Sequence, residues 1–259
     1  MRVVILEDSA AVSEFAAKII ENLVRSKPDA VLGLATGSTP TATYSRLAER
    51  HLTAGLDFSS VTTFNLDEYV GLPTEDPNSY RSFMNAHFFD RIQIEKDRTF
   101  IPNGTAANLR QECLEYEESI VANGGIDLPV LGIGRDGHIG FNEPGSSLAG
   151  RTQVRLLARQ TILDNARFFG SEDLVPKAAI TMGVGTILDA NQILLLATGE
   201  AKAEAIQATL EGPLTAMVTS SALQIHPNAT ILMDAAASHL LANREYYIES
   251  ERLRVKLGL

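Results

Sequence analysis

The sequence predicts a single open α/β domain, a mostly parallel sheet with helices on both faces. Three observations carry that expectation. Strand-like runs of β-branched residues alternate with segments of helical period along the chain. Ala30 to Thr36 is apolar almost throughout and reads as a strand buried on both faces, the signature of a parallel sheet. The chain has 259 residues with 45% hydrophobic content, enough for a sizeable core, and no repeat, low-complexity tract or linker-like segment divides residues 1–259.

In order, Val3 to Leu6 makes a short strand. Val12, Phe15, Ala16, Ile19, Ile20 and Leu23 then recur at three and four residues, one face of a helix. Ala30 to Thr36 is the second strand, Tyr44, Leu47, Ala48 and Leu52 mark the next helix, and Val61 to Leu66 is a third strand. Leu109, Cys113, Tyr116 and Ile120 form another helical face before a strand from Leu128 to Ile133. Later, Gln192 to Ala197 is a strand, and Ala203, Ile206 and Leu210 mark a helix. Thr230 to Met233 is a last strand before a polar C-terminal helix.

A formal charge of −10 argues against a general nucleic-acid or anionic-membrane surface, because a net negative field repels polyanions. A small anionic substrate is compatible with it if cations are gathered locally. Cys113 is the only cysteine, so no intrachain disulfide or cysteine-built zinc site can form, which suits a reducing compartment and places the chain in the cytosol. The N-terminal apolar run meets Glu7 and Asp8 too early for a secretory leader, so the mature chain is expected to start at Met1. Gly212 to Met233 lacks formal charge but carries Pro213, His226, Pro227 and Asn228, which argues against a membrane span.

Ligands of open α/β sheets bind beyond the carboxyl ends of the strands, and four places qualify. Gly37, Ser38 and Thr39 follow the second strand and open a helix; they read as an anion cradle or, equally, as an ordinary N-cap with a turn glycine. Asp67 and Glu68 stand at a strand end and point in opposite directions, so one can face a pocket as a general base; both could instead be solvated or helix-capping. Gly132-Ile-Gly-Arg-Asp-Gly137 fits a dinucleotide-binding pattern, but the residues after it have no helical period and end in Pro144-Gly145. What remains there is His138 between two carboxylates, Asp136 and Glu143, either a positioned proton donor and acceptor or a structural turn histidine. A metal site is the weaker reading, since no second histidine lies at three- or four-residue spacing. Gly199 and Lys202 repeat the strand, glycine, helix pattern; Lys202 there and Arg167 beside Phe168 and Phe169 are candidate cations for an anion, or surface residues.

The stretches GLATGSTPTATY, TFNLDEYVGL, NSYRSFM, GIGRDGHIGFNEPGSSLAGRT, NARFF, TMGVGTILDA, GEAKAEAI and LQIHPNA, in this order, resemble the glucosamine-6-phosphate deaminases over nearly the whole chain. Related 6-phosphogluconolactonases share the Gly-Ser-Thr-Pro loop and a Gly-x-Asp-Gly-His loop, but IGFNEP after the histidine resembles the deaminases. The resemblance implies a modified Rossmann-like fold. It also implies isomerisation of glucosamine 6-phosphate to fructose 6-phosphate with loss of ammonia, and needs no cofactor and no metal. Asp67 then matches the base that moves the C2 proton to C1, Glu68 is structural, and His138, held by Asp136 and Glu143, opens the pyranose ring. Gly37, Ser38, Thr39, Arg167 and Lys202 match phosphate-binding positions, and Arg167 falls in a lid segment, about 160–182.

Longer members of that family are hexamers activated by N-acetylglucosamine 6-phosphate, and the polar tail, about 238–259, resembles theirs and implies a homohexamer. The activator positions match Met1, Ser146, Arg155 and Tyr246, with Gln153 standing where a basic residue is expected, so activation is expected to be weak or absent. The alternatives are a lactonase, for which only the histidine and the phosphate loop would matter, and a non-catalytic sugar-phosphate sensor. The sensor is disfavoured because the sequence shows no DNA-binding segment and retains every proton-transfer residue.

Overall fold

The β/α alternation becomes one large parallel sheet with a small antiparallel sheet attached. The computed structural model describes residues 1–259. Its first half runs β1 (Arg2–Leu6), α1 (Ser9–Ser26), β2 (Val31–Leu34), α2 (Ser38–Ala54), β3 (Thr62–Asn65) and β4 (Asp67–Tyr69). Then come α3 (Tyr80–His87), β5 (Thr99–Phe100), α4 (Leu109–Ala122) and β6 (Leu128–Leu131). The second half runs β7 (Gln153–Leu156), α5 (Arg159–Phe169), β8 (Ala178–Thr181) and α6 (Val184–Leu188). It ends with β9 (Ile193–Ala197), α7 (Ala203–Glu211), β10 (Ala229–Asp234) and α8 (Arg244–Leu257).

The large sheet has seven strands in the order β1-β10-β9-β6-β2-β3-β5, every pairing parallel. Successive strand residues feed opposite faces, as period-two geometry requires. Leu32, Leu34, Val130, Leu194, Leu196 and Leu232 pack with α1 and α2. Val31, Phe64, Leu131, Leu195, Ile231 and Met233 pack with Tyr116 of α4 and Ile206 of α7. Leu52, read as part of a helical face, is instead 78% exposed, because the last turn of α2 overhangs the packed stripe of Tyr44, Leu47 and Ala48 before Gly55 ends the helix.

The second sheet, β4-β8-β7, is antiparallel. Leu66 joins the two sheets: its N–H donates to Leu34 O in the large one, and its carbonyl accepts from Met182 N beside the small one. The run read as one strand from Val61 to Leu66 therefore changes sheets there, and Asp67 is the first residue on the other side. No helix is long and apolar enough to cross a membrane.

Candidate active site

Strands β2 and β6 are neighbours, yet the chain leaving β2 goes to β3 on one side and β6 has β9 on the other. Such divergence opens a crevice at the carboxyl ends of the strands. The loops after β2, β3, β6 and β9 are the four places the sequence singled out.

After β2, Tyr44 donates from its hydroxyl to Ala35 O at 2.6 Å and fixes the exit of the loop. Gly37 is the N-cap of α2 and supplies no side-chain cap, so Ser38 and Thr39 lie in the first turn. Gly37 is thus an N-cap with a turn glycine, φ +107°, and the first amide groups, left without a side-chain cap, also suit an anion, so both readings of this loop stand.

Asp67 and Glu68 are both buried, 7% and 2% exposed, so the solvated reading fails. Glu68 accepts from the backbone N–H of Tyr69, Tyr80 and Arg81 at 2.9, 3.0 and 3.1 Å, tying β4 to the start of α3. Burial still raises its pKa, opposed by those three bonds and by the Arg81 charge. Asp67 has no such partners. Burial first, and the neighbouring Glu68 charge second, push its carboxyl up from 3.8 to about 7, with His138 opposing. Thr181 of β8 lies opposite Asp67 in the ladder and accepts from Phe141 N at 3.0 Å. Gly140 fills the remaining space: a Cβ there would come within 2.8 Å of Thr181 Oγ1 and 3.6 Å of Asp67 Oδ2, and its φ is +57°.

The loop after β6 turns without a helix. Gly134 N–H donates to His138 O at 2.8 Å and the imidazole folds back over Gly134, where a Cβ would meet ring atoms at 2.4 Å. The glycine pattern thus makes room for a histidine rather than a pyrophosphate. His138 Nδ1 is 2.7 Å from Asp136 Oδ1 and 3.5 Å from Glu143 Oε2, although neither contact has aligned hydrogen-bond geometry. Burial alone would lower the proton affinity of the ring; Asp136 and then Glu143 outweigh it, and the pKa is raised above 6.5. Asp136 is lowered in return by its contact with His138. Glu143 Oε1 accepts from Thr161 Oγ1 at 2.6 Å and Ala158 N at 3.2 Å, so the carboxylate is fixed by the N-terminus of α5 while Oε2 faces His138. One ligand atom from each of the three groups lies within 4.8 Å of the others, a spacing that could hold a metal ion and that equally suits an imidazole flanked by two carboxylates for proton transfer.

After β9, Asp234 at the end of β10 accepts twice from Gly199 N and shapes the turn that carries Lys202. Lys202 therefore sits in a short turn ahead of α7 rather than in its first turn. Burial lowers its pKa, and the charges of Arg135 and Arg167 add to that, against Asp164 and Asp136. Arg167 is exposed on α5 with its guanidinium over the Phe168 ring at 4.7 Å. Of the segment 160–182, α5 packs through Ile162 against a small cluster of Tyr69, Phe141 and Leu157, whereas Ala178–Thr181 is the middle strand of the small sheet. Sequence reasoning passed over Thr161, Thr181, Asp234 and Arg135. Thr181 stood in the quoted TMG stretch, and Arg135 lay inside the glycine loop itself.

The activator positions divide into two groups. Ser146 accepts from Arg155, and Gln153 shares the face of β7 with Arg155, its amide near Gly150. Met1 and Tyr246 instead line a groove between α8 and β1, on the far edge of the large sheet.

Residues 7–233 match the model of the family described as glucosamine-6-phosphate isomerases/6-phosphogluconolactonase. The chain belongs to this family. Similar members include the glucosamine-6-phosphate deaminase of Shewanella woodyi, 53% identical over 257 residues, covering 99% of this chain and 97% of that one. The solved structure of a monomeric glucosamine-6-phosphate deaminase is 49% identical with a TM-score of 0.91, covering 93% of this chain and 100% of its own. The 6-phosphogluconolactonase of Leishmania guyanensis, 22% identical with a TM-score of 0.75 over 93% of this chain and 98% of its own, shares the fold.

Proposed function

We propose that the chain converts glucosamine 6-phosphate and water to fructose 6-phosphate and ammonia. The observation that carries this reading is Asp67, a buried carboxylate with no hydrogen-bond partner and a pKa near 7, across a crevice from a charge-stabilised imidazole. A lactone hydrolase has use for the histidine but none for that base.

In this mechanism the phosphate rests on the first turn of α2 at Gly37, Ser38 and Thr39, with Lys202 and Arg167 supplying charge. His138 moves a proton between O1 and O5 to open the ring, and Asp136 and Glu143 stabilise the imidazolium and fix its orientation. Asp67 then removes the C2 proton; the electron pair shifts to give an enolamine, and the same carboxyl returns the proton to C1. Water adds to the resulting C2 imine, and ammonia leaves as the ketone forms. α5 over the crevice would shield the enolamine.

The cytosol is the proposed compartment and a homohexamer the proposed assembly. Two features support self-association. Met1 and Tyr246 line a groove that none of Ser146, Gln153 and Arg155 lines, so a site shared by all five would form across copies. α8 also leaves Tyr246, Val255 and Leu257 exposed, although the similar solved deaminase is a monomeric one. Sedimentation of the purified protein tests this, and a mass of one subunit would end it.

Ammonia release from glucosamine 6-phosphate in a coupled assay tests the reaction. Hydrolysis of 6-phosphogluconolactone without ammonia release from the amino sugar would replace the proposal with the lactonase reading.

A further inference from the structure

The pairing of β6 with β9, Leu131 opposite Leu195, makes the loops that follow them neighbours. Arg135 leaves the first and Lys202 the second. With Arg167 of α5 they gather three cations in a chain whose net charge is −10. Arg135 takes no part in the mechanism above, and after burial its charge is the largest influence lowering the proton affinity of Lys202. The acidic groups facing this cluster are Asp136, already beside His138, and Asp164. Asp164 belongs to α5. One of its oxygens accepts from Gln160 Nε2 at 2.9 Å, and the other lies 3.8 Å from Arg135 Nε, with side chains 40% and 62% exposed.

An exposed pair at that separation contributes little and is readily exchanged. A phosphate dianion offers Arg135 a fork of charge-assisted bonds that a single carboxylate oxygen at 3.8 Å does not. We propose that Arg135 is a further binding residue for the phosphate of the substrate, and that Asp164 holds its place in the empty enzyme. Phosphate displaces Asp164 from Arg135, so that binding at the crevice is coupled to the position of α5. The proposal rests on the sugar-phosphate reading of the site.

The two members of the pair should act with opposite signs, which a merely structural ion pair would not do. In calorimetric titration of inorganic phosphate into the full-length protein, Arg135→Ala should raise Kd about tenfold, the loss of one charge-assisted contact, and Arg135→Lys should recover part of it. Asp164→Asn should lower Kd about two- to fivefold by freeing Arg135. The double variant Arg135→Ala/Asp164→Asn should show the Arg135→Ala value alone. KM for glucosamine 6-phosphate should follow the same order, with the loss in Arg135→Ala falling on KM more than on kcat. Unchanged phosphate binding in a folded Arg135→Ala protein, or weaker binding in Asp164→Asn, overturns the inference. Because phosphate binding is read without turnover, a wild-type protein that binds phosphate but releases no ammonia would sink the reaction reading and leave this one standing.

Discussion

Glu68 accepts three backbone N–H groups while Asp67, the residue before it in the chain, accepts none. Adjacent carboxyls on a strand face opposite ways, so one is tied into the backbone of α3 and the other is left to the crevice. Burial first, and the charge of the tied carboxylate beside it second, hold the Asp67 proton to about pH 7.

Asp67→Asn should cut kcat by roughly 10²–10⁴, since the amide keeps the size but cannot take a proton. In the wild type kcat/KM should rise with pH through about 7 as Asp67 ionises. Stability should run the other way. The carboxyl loses its proton near 3.8 in the unfolded chain and near 7 in the folded one, so its contribution is most favourable below 3.8 and declines as pH rises to 7. Asp67→Asn should therefore stabilise the protein at pH 8 by about 2–4 kcal/mol and hardly at pH 4. Glu68→Gln should instead lower the melting temperature, because it weakens three bonds at the start of α3. Full activity in Asp67→Asn would remove it from the mechanism.

His138 owes its raised pKa to Asp136 and Glu143 against the effect of burial. Asp136→Asn should drop the imidazole pKa below its wild-type value, and Asp136→Asn/Glu143→Gln should take it below 6.5, as burial then acts unopposed. Imidazole proton shifts followed by NMR across pH measure this directly. The same variants should slow closed-ring substrate far more than an open-chain analogue, and equal losses on both would argue that His138 acts after ring opening.

The large sheet was legible because its strands are buried on both faces and separated by helices with clear apolar stripes, as in α1 and α4. The small sheet was not. β4 has three residues and follows β3 after Leu66 alone, so no break in pattern marks where the chain changes partners. Within the site, Asp67, His138 and their neighbours could be found because each follows a strand in the large sheet. The roles of Thr161, Asp234 and Asp164 depend on partners 18, 35 and 29 residues away in sequence, and a single polar side chain carries no signal for such a pairing.

Gly134 makes the loop a test of its own reading. A Cβ there would overlap the His138 ring at 2.4 Å, and the imidazole cannot yield without leaving Asp136 and Glu143. Gly134→Ala should then reproduce the kinetic signature of His138→Gln, with loss on closed-ring substrate, while the melting temperature falls by no more than a few degrees. Unimpaired ring opening in this variant would show that the ring position is not needed.

Lys202→Ala and Arg167→Ala should weaken glucosamine 6-phosphate binding by about 1.5–3 kcal/mol each, the range for a hydrogen bond to a charged group. Lys202 is the more buried of the two and its pKa is lowered by burial and by Arg135, so it gains most when a dianion arrives. Unphosphorylated glucosamine should be nearly indifferent to both changes. A large effect on it would place these cations elsewhere on the sugar.

The proposed activator site includes β7, where Gln153 and Arg155 share a face and Arg155 donates to Ser146. An activating anion bound here would meet one guanidinium and a neutral amide. The missing charge should weaken N-acetylglucosamine 6-phosphate by about 1–2 kcal/mol relative to a site with two cations. Met1 and Tyr246 line the groove beside β1 and α8, which none of Ser146, Gln153 and Arg155 lines, so in this proposal they complete the site from another copy. Weak or absent activation is therefore expected in the wild type even if it assembles. Gln153→Lys should strengthen activation in an assembled protein and do nothing in a monomeric one, because a lone chain lacks the other half. Initial rates against substrate concentration, with and without the activator and at protein concentrations above and below dissociation, distinguish these cases. Strong sigmoidality in the wild type, abolished by micromolar activator, would show that Gln153 does not disable the site, and Gln153→Lys would then have nothing to restore.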